Sequence, residues 1–354
     1  MTEKAPPDAD VSQFVDVPAL ERFVNEHVPG QPGPLVVQRH TAGYSNVTLY
    51  VTRGDEKWVL RRPPTGNLLP TAHDVLREHR FISALYGKAR VPRPVIGCDD
   101  TSVIGAPFYL MERVLGTEIR DTIPPAYDNP AGRRRMAEEM IDTLVELHAV
   151  DWRETGLKAP STPYLQRTVE RWRTQWEMTR PRTRPLPGLD LVADWLRQHM
   201  PEEQPPTVVH GDFKLDNVLF ALDEPRLLAM LDWELATIGD PLADLGWLLS
   251  TWSGGGAEPV GLRDPDGNVL PAPVSTREGF PSTTEMAELY ADRSGRPLRD
   301  YRYHLALASF KGAVIGEGIY MRYLEGNVTN PLGARMEWQV PQRVDRIVQM
   351  INSD

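Results

Sequence analysis

Residues 208–220 read VVHGDFKLDNVLF. Two apolar runs enclose a histidine, two aspartates, a lysine and an asparagine. Asp212 and Asn217 stand five positions apart, and Asp232 lies on the next apolar segment, LLAMLDWE. If the apolar runs pair as strands, the end of the loop and Asp232 meet at one mouth, with an asparagine oxygen beside several carboxylate oxygens. Hard oxygen ligands of that kind suit Mg²⁺ held against substrate phosphates. A carboxylate set apart from them can orient and deprotonate an attacking hydroxyl. The competing reading is a polar turn between two core strands, with Asp240 only capping a helix that starts near Pro241.

Other chemistries lack their residues. The chain has no G-x-x-x-x-G-K-[ST] phosphate loop and no H-E-x-x-H zinc site, and Ser253 lacks the flanks of a G-x-S-x-G nucleophile turn. The net charge of -10 over 354 residues argues against a general nucleic-acid binder, which needs a basic face. The single cysteine, Cys98, excludes an internal disulfide and a cysteine metal cage, and fits a reducing cytoplasm. No apolar run approaches the roughly 18 residues of a membrane helix, and MTEKAPPDADVSQF reads as neither signal peptide nor anchor.

Periodicity supplies the elements that must position these groups. Residues 17–28 carry helical spacing and end at PGQPGP. Residues 35–62 then read as three strands, with Arg53-Gly54-Asp55-Glu56 as the tight turn between the last two. Residues 71–87 are a helix with Val75, Leu76, His79, Ile82 and Leu85 on one side, and FYLMERVLG is a further strand. An antiparallel sheet with one inserted helix is expected over residues 33–115. Beyond Gly116 the pattern is mainly helical, with a core stripe of Met136, Met140, Leu144, Leu147 and His148, and with Trp172, Trp176 and Trp195 as core. The aperiodic Gly/Pro-rich stretch from Gly254 to Pro281 is long enough to be an acceptor lid.

The motifs in order resemble the aminoglycoside phosphotransferase and choline kinase group, which has the protein-kinase-like fold. His210-Gly211-Asp212 followed by Asn217 resembles its catalytic loop. Leu231-Asp232-Trp233-Glu234 resembles its metal-binding element, and Gly239-Asp240-Pro241 with Asp244-Leu245 resembles the GDPxxDL run that follows. The phrase VLRRPPTGNLLPTAHDVLREHR is most similar to the subgroup found fused to acyl-CoA dehydrogenases. The resemblance implies an α+β, two-lobed fold: a nucleotide-binding lobe over 1–115, with a small antiparallel sheet, and a larger helical lobe over 116–354 holding catalytic loop and acceptor site.

It also implies roles. Asp212 is the catalytic base and Lys214 reaches the transferring phosphoryl group. Asn217 and Asp232 hold Mg²⁺. Gly43, Tyr44, Ser45 and Asn46 cover the nucleotide phosphates, and Glu112 to Val114 cradle the adenine. Glu78 pairs with the cation on WVLRR, where Arg61 replaces the usual lysine. Arginine grips phosphate bidentately where lysine is a point charge. The activity implied is transfer of the γ-phosphoryl of ATP, with GTP left open, to a hydroxyl of a small molecule. Neither nucleic acid nor membrane is a partner, and the oligomeric state is open. Arg61 motivates the alternative of a nucleotide-binding pseudokinase scaffold. For the acceptor, arginines 167, 171, 173, 180, 182 and 184 against Glu170 and Glu177 fit an anion such as a hydroxyacyl-CoA if that segment faces the pocket. A cationic aminoglycoside instead calls for an acidic one. If the arginines only form a solvated face, they say nothing about the acceptor.

Overall fold

The computed structural model describes residues 11–40, 46–64, 74–253, 264–265, 273–327 and 331–353. The chain divides into two compact units. The first runs to Gly116 and takes in Leu228–Ala236; the second holds the remainder.

Helix α1 (Val17–His27) opens the first unit, capped by Asp16, whose side chain accepts the Ala19 N–H at 3.0 Å. Strands β1 (Val36–His40), β2 (Val47–Arg53) and β3 (Glu56–Arg62) follow as an antiparallel meander, with Arg53 opposite Glu56 closing the expected tight turn. Helix α2 (Val75–Leu85) starts at Asp74, which accepts the Arg77 N–H at 2.9 Å. Strand β4 (Pro94–Cys98), the short helix α3 (Thr101–Ile104) and strand β5 (Phe108–Glu112) complete a five-stranded antiparallel sheet in the order β1-β2-β3-β5-β4.

Side chains alternate across a strand, so the register sorts this sheet into two faces. Leu49, Val51, Trp58, Leu60, Phe108 and Leu110 share a core with Leu20 and Val24 of α1. Arg61 falls on the other face, directly between Thr48 of β2 and Tyr109 of β5. Of the stripe expected on helix α2, Val75, Ile82 and Leu85 are buried while Leu76 and His79 are only half-buried; Phe81 is buried as well, and so is Glu78, at 1% exposure.

The second unit contains helices α4 (Pro130–Ala149), α5 (Tyr164–Thr179) and α6 (Pro187–Gln198). Strand β6 (Thr207–Val209) is followed by β7 (Val218–Phe220); β8 (Leu227–Met230), all but its first residue belonging to the first unit, precedes β9 (Thr237–Gly239) of the second. Helices α7 (Leu242–Thr251), α8 (Thr283–Ser294), α9 (Tyr301–Leu324) and α10 (Pro331–Asn352) complete the described elements. The expected stripe of α4, Met136 through His148, is buried throughout. Trp176 is fully enclosed, whereas Trp172 and Trp195 are only partly covered against the core of α5, α6, α9 and α10. Burying such side chains contributes roughly 1.5–3 kcal/mol each.

The segment VVHGDFKLDNVLF is not a hairpin. Strand β6 pairs antiparallel with β9, Val208 opposite Ile238, so the polar loop is anchored by a partner thirty residues on. One glycine sets the approach of α7 to α9. A Cβ at Gly246 would lie 2.7 Å from the His304 carbonyl oxygen, closer than packed atoms come.

Candidate active site

In the second unit the loop after β6 turns through Gly211, whose φ of +83° is left-handed and costs any side-chain-bearing residue roughly 1–2 kcal/mol. The turn is tied down by Asp244 of α7. The His210 N–H donates to Asp244 Oδ2 at 2.6 Å, and the Gly211 N–H donates to Oδ1 at 2.7 Å. His148 of α4 lies 3.4 Å from the same carboxylate and is itself 2.8 Å from the Tyr290 hydroxyl. Burial pushes the Asp244 pKa up, but His148, the nearby His210 and the backbone N–H groups outweigh it and hold the carboxyl below its ordinary range. Asp240 is likewise held low: burial opposes ionisation, and His304 with the N–H groups of Gln204 and Leu242 overcomes it. Asp240, one residue before the N-cap Pro241, thus accepts the N–H of the first residue of α7 and also ties that helix end to Gln204.

Asp212 is presented from this turn. Its N–H donates to His210 Nδ1 at 3.2 Å, so the buried His210 braces the loop. The Asn217 amide donates to the Asp212 carbonyl at 2.8 Å and to its Oδ2 at 2.6 Å. Lys214 Nζ is 3.9 Å from the same Oδ2. Asp212, Lys214 and Asn217 are therefore brought together as a fixed carboxylate with a cation beside it. Because the Asn217 nitrogen is used on Asp212, its side-chain oxygen is left to offer its lone pairs to a cation or a hydrogen-bond donor.

In the first unit a second cluster forms around Arg61, whose side chain is 14% exposed. Its Nη2 lies 3.5 Å from Glu78 Oε1 and 3.1 Å from Asp232 Oδ1, and Nη1 donates to Thr48 Oγ1 at 3.2 Å. Burial alone would lower the Arg61 pKa; Glu78 first, then Tyr109 and Asp232, reverse that and keep the guanidinium charged. For Glu78 burial dominates, and with Asp232 it pushes the carboxyl up against the opposing pull of Arg61. Arg77 donates to the Glu234 carbonyl at 2.9 Å and to the Ala236 carbonyl, and the Trp233 N–H reaches Glu78 Oε1 at 3.3 Å. Helix α2 thereby holds the Asp232 segment in place. Asp232 has φ +65° and ψ +64°, a costly conformation for a non-glycine residue and one that clusters at functional positions. The Tyr109 hydroxyl lies against the Glu78 carboxylate, and among the described residues the buried Arg61 Nε has no hydrogen-bond partner.

The remaining expected contacts divide. Gly43, Tyr44 and Ser45 lie outside the described residues, as does most of Gly254 to Pro281; Asn46 is described, and its buried side-chain oxygen has no hydrogen-bond partner among the described residues. Glu112 ends β5 with its N–H on the Arg93 carbonyl, and the Arg113 N–H donates to Lys57, leaving the Val114 backbone outside this pairing. Five of the six arginines of α5 and its extension are engaged within the protein. Arg167 donates to Thr237 and the Ile238 carbonyl, Arg173 pairs with Glu170 and Glu177, Arg180 with Asp190, Arg182 with Glu325, and Arg184 with Glu317. Arg171, with its guanidinium 5.3 Å from the Trp172 ring centroid, is left over.

Two residues were not assigned from sequence. Asp244 was read only as part of a motif, and its anchoring of two N–H groups some thirty residues away is visible only in the fold. Lys311, buried at 8% exposure beside the same turn, has a sequence signal: it is the one cation in the run ALASFKGAVIG.

A five-stranded antiparallel sheet carrying an Arg–Glu pair, with a mainly helical unit carrying an HGD turn, defines a protein-kinase-like phosphotransferase fold. The model of the phosphotransferase enzyme family matches residues 36–268, and the chain belongs to that family. It is 35% identical over 322 residues to rat acyl-CoA dehydrogenase family member 11, covering 88% of this chain but 40% of that protein. A crystal structure of a Ralstonia eutropha protein provisionally assigned as an aminoglycoside phosphotransferase is 32% identical, with a TM-score of 0.78 over 95% of this chain and 98% of that one. Choline kinase from Cryptosporidium parvum shares the fold at 12% identity, with a TM-score of 0.64 over 95% of each chain. Among the described residues no helix is long and apolar enough to cross a membrane.

Proposed function

We propose that this chain is an ATP- and Mg²⁺-dependent kinase that transfers the γ-phosphoryl group to a hydroxyl of a small molecule. The observation that carries the reading is the fixed Asp212 carboxylate, held by Asn217 on a turn anchored to Asp244. Asp212 accepts the acceptor's proton and orients its oxygen, and Lys214 neutralises charge on the group in flight. Arg61, positioned by Glu78, takes the α and β phosphates; its buried Nε–H without a partner is a donor suited to a phosphate oxygen. Glu112 to Val114 meet the adenine, and Gly43 to Asn46 cover the phosphates.

The donor set fits Mg²⁺. Asn217 and Asp232 supply oxygen ligands only, and among the described residues no cluster of three His, Cys, Asp or Glu forms a self-sufficient metal cage. Such a site leaves the ion to be completed by phosphate and water. Mg²⁺ supplies charge neutralisation between the phosphates.

For the acceptor we favour a hydroxyacyl-CoA-like alcohol over an aminoglycoside. The support is the similarity to proteins named for acyl-CoA dehydrogenation, of which this chain spans about 40%. The arginine run adds little to it, since five of its six members are engaged. A cytoplasmic location belongs to the same reading and rests on Cys98, a buried free thiol. One observation favours the scaffold alternative: Arg61 sits 3.1 Å from Asp232, a carboxylate this reading assigns to the ion. ATP consumption across aminoglycosides, choline-like alcohols and hydroxyacyl-CoAs tests the proposal. Acceptor-dependent consumption with hydroxyacyl-CoAs is expected; Mg²⁺-ATP binding without turnover on any acceptor supports the scaffold.

A further inference from the structure

Lys311 stands in the middle of α9, in a stretch otherwise apolar, and its ammonium donates to the Gly211 carbonyl. That carbonyl belongs to the peptide leading into Asp212, and the N–H of the same peptide donates to His210 Nδ1. Both polar ends of the Gly211–Asp212 peptide are therefore engaged, while Asp244 holds the N–H groups of His210 and Gly211. The ammonium also lies 3.7 Å from the centroid of the Trp247 ring and 5.9 Å from that of Trp172. The Trp247 ring caps it with an electron-rich face, a favourable partner for a desolvated cation. A buried ammonium is costly, and core packing alone is better served by an apolar side chain.

We propose that Lys311 is a positioning residue for phosphoryl transfer: by fixing the Gly211 carbonyl it sets the direction in which Asp212 presents its carboxylate. The proposal rests on the assignment of Asp212 as base. The charged groups facing Lys311 are Asp212 from the loop, Asp244 from α7, Arg171 from α5 and Lys214 from the loop. Burial is the largest influence and, with the two cations, pushes the lysine down to about 8 against the pull of the two carboxylates. The charged contact then prevails below that value and is lost as pH rises through it, because neutral lysine is a much weaker donor to the carbonyl.

The test follows Mg²⁺-ATP hydrolysis with water as acceptor from pH 6 to 10 in wild type, Lys311→Met, Lys311→Arg and Asp212→Asn. Calorimetric Mg²⁺-ATP affinity, thermal melting and hydrogen exchange of residues 208–217 accompany it. Misplacing a reacting group by an ångström costs up to about 10²-fold, so Lys311→Met is expected to lose roughly 10- to 100-fold in kcat with ATP affinity kept. It should also exchange faster across 208–217 and lose the decline in rate above pH 8. Lys311→Arg, charged throughout, should recover part of the rate and move the decline to higher pH. Wild-type kcat and an unchanged alkaline decline in Lys311→Met, with Asp212→Asn inactive, overturn the Lys311 proposal alone. Undiminished hydrolysis in Asp212→Asn overturns the base assignment and the proposal with it. If wild type does not hydrolyse ATP, unchanged exchange in Lys311→Met overturns the positioning role, and faster exchange reversed by Lys311→Arg supports it.

Discussion

The two polar clusters of this chain are built on opposite principles. Around Asp212 the donors and acceptors are matched: Asp244 receives two backbone N–H groups, and Asn217 and His210 complete the turn. Around Arg61 the charges are gathered but incompletely matched, with the buried Arg61 Nε left without a partner among the described residues. Unmatched buried polar atoms are costly in a folded chain and are found where a ligand completes the set. The first cluster is thus a turn held rigidly from both sides, and the second a cation gathered between two carboxylates, the part of the chain to which the proposed function gives the phosphates. Preorganisation and ligand capture are assigned to different parts of one chain.

Substitutions can break this contrast at either cluster. The largest effect is expected for Asp244→Ala, which leaves two buried N–H groups and His148 without their acceptor. A loss of about 3–5 kcal/mol is expected for removing one member of a buried charged network, read as a lowered midpoint in denaturant unfolding. The same carboxylate gives a pH signature. Its pKa is depressed in the folded chain, so its stabilisation is present above the unfolded value, roughly 3.9, and is lost as pH falls through the lower folded value. Asp240 contributes with the same sign. Acid unfolding of Asp244→Ala should therefore be less steep below about pH 4 than that of the wild type.

Asp212→Asn sharpens the contrast from the chemical side. It keeps the shape of the turn and removes the base, so turnover should fall at least about 10²-fold while melting and Mg²⁺-ATP affinity stay near wild type. Arg61→Ala, at the ligand-capturing cluster, should weaken ATP binding and turnover together, by roughly 1.5–3 kcal/mol for a hydrogen bond to a charged group. Arg61→Lys should fall between, since charge survives and the planar fork does not. The smallest effect belongs to Arg173, whose pairs with Glu170 and Glu177 lie on the surface. Arg173→Ala should change stability by less than about 1 kcal/mol and leave acceptor kinetics unmoved; a raised acceptor KM would restore that segment to the acceptor site.

Much of this was legible before the fold. The spacing of Asp212 and Asn217 marked two side chains that the fold brings into contact, and alternation in residues 35–62 marked the sheet that carries Arg61, because both signals are local. What escaped depends on distant partners. Strand β6 pairs with β9 rather than with its neighbour, and no turn signal in VVHGDFKLDNVLF could reveal that. Glu78 shares the face of Val75, Ile82 and Leu85, yet a carboxylate there reads as a surface charge until Arg61 and the Trp233 N–H are seen to meet it. The arginines of α5 suggested a binding face by their number, yet number does not show that five of the six are held by the protein itself.

The central claim, that Asp212 delivers a small-molecule hydroxyl to the γ-phosphate, is tested most directly by ³¹P NMR of Mg²⁺-ATP turnover with hydroxyacyl-CoA, choline-like and aminoglycoside acceptors, in wild type and Asp212→Asn. A new phosphate monoester resonance, growing with ADP in wild type and slowed at least about 100-fold in the variant, is the expected result. Equal rates of ester formation in the two proteins would contradict the claim.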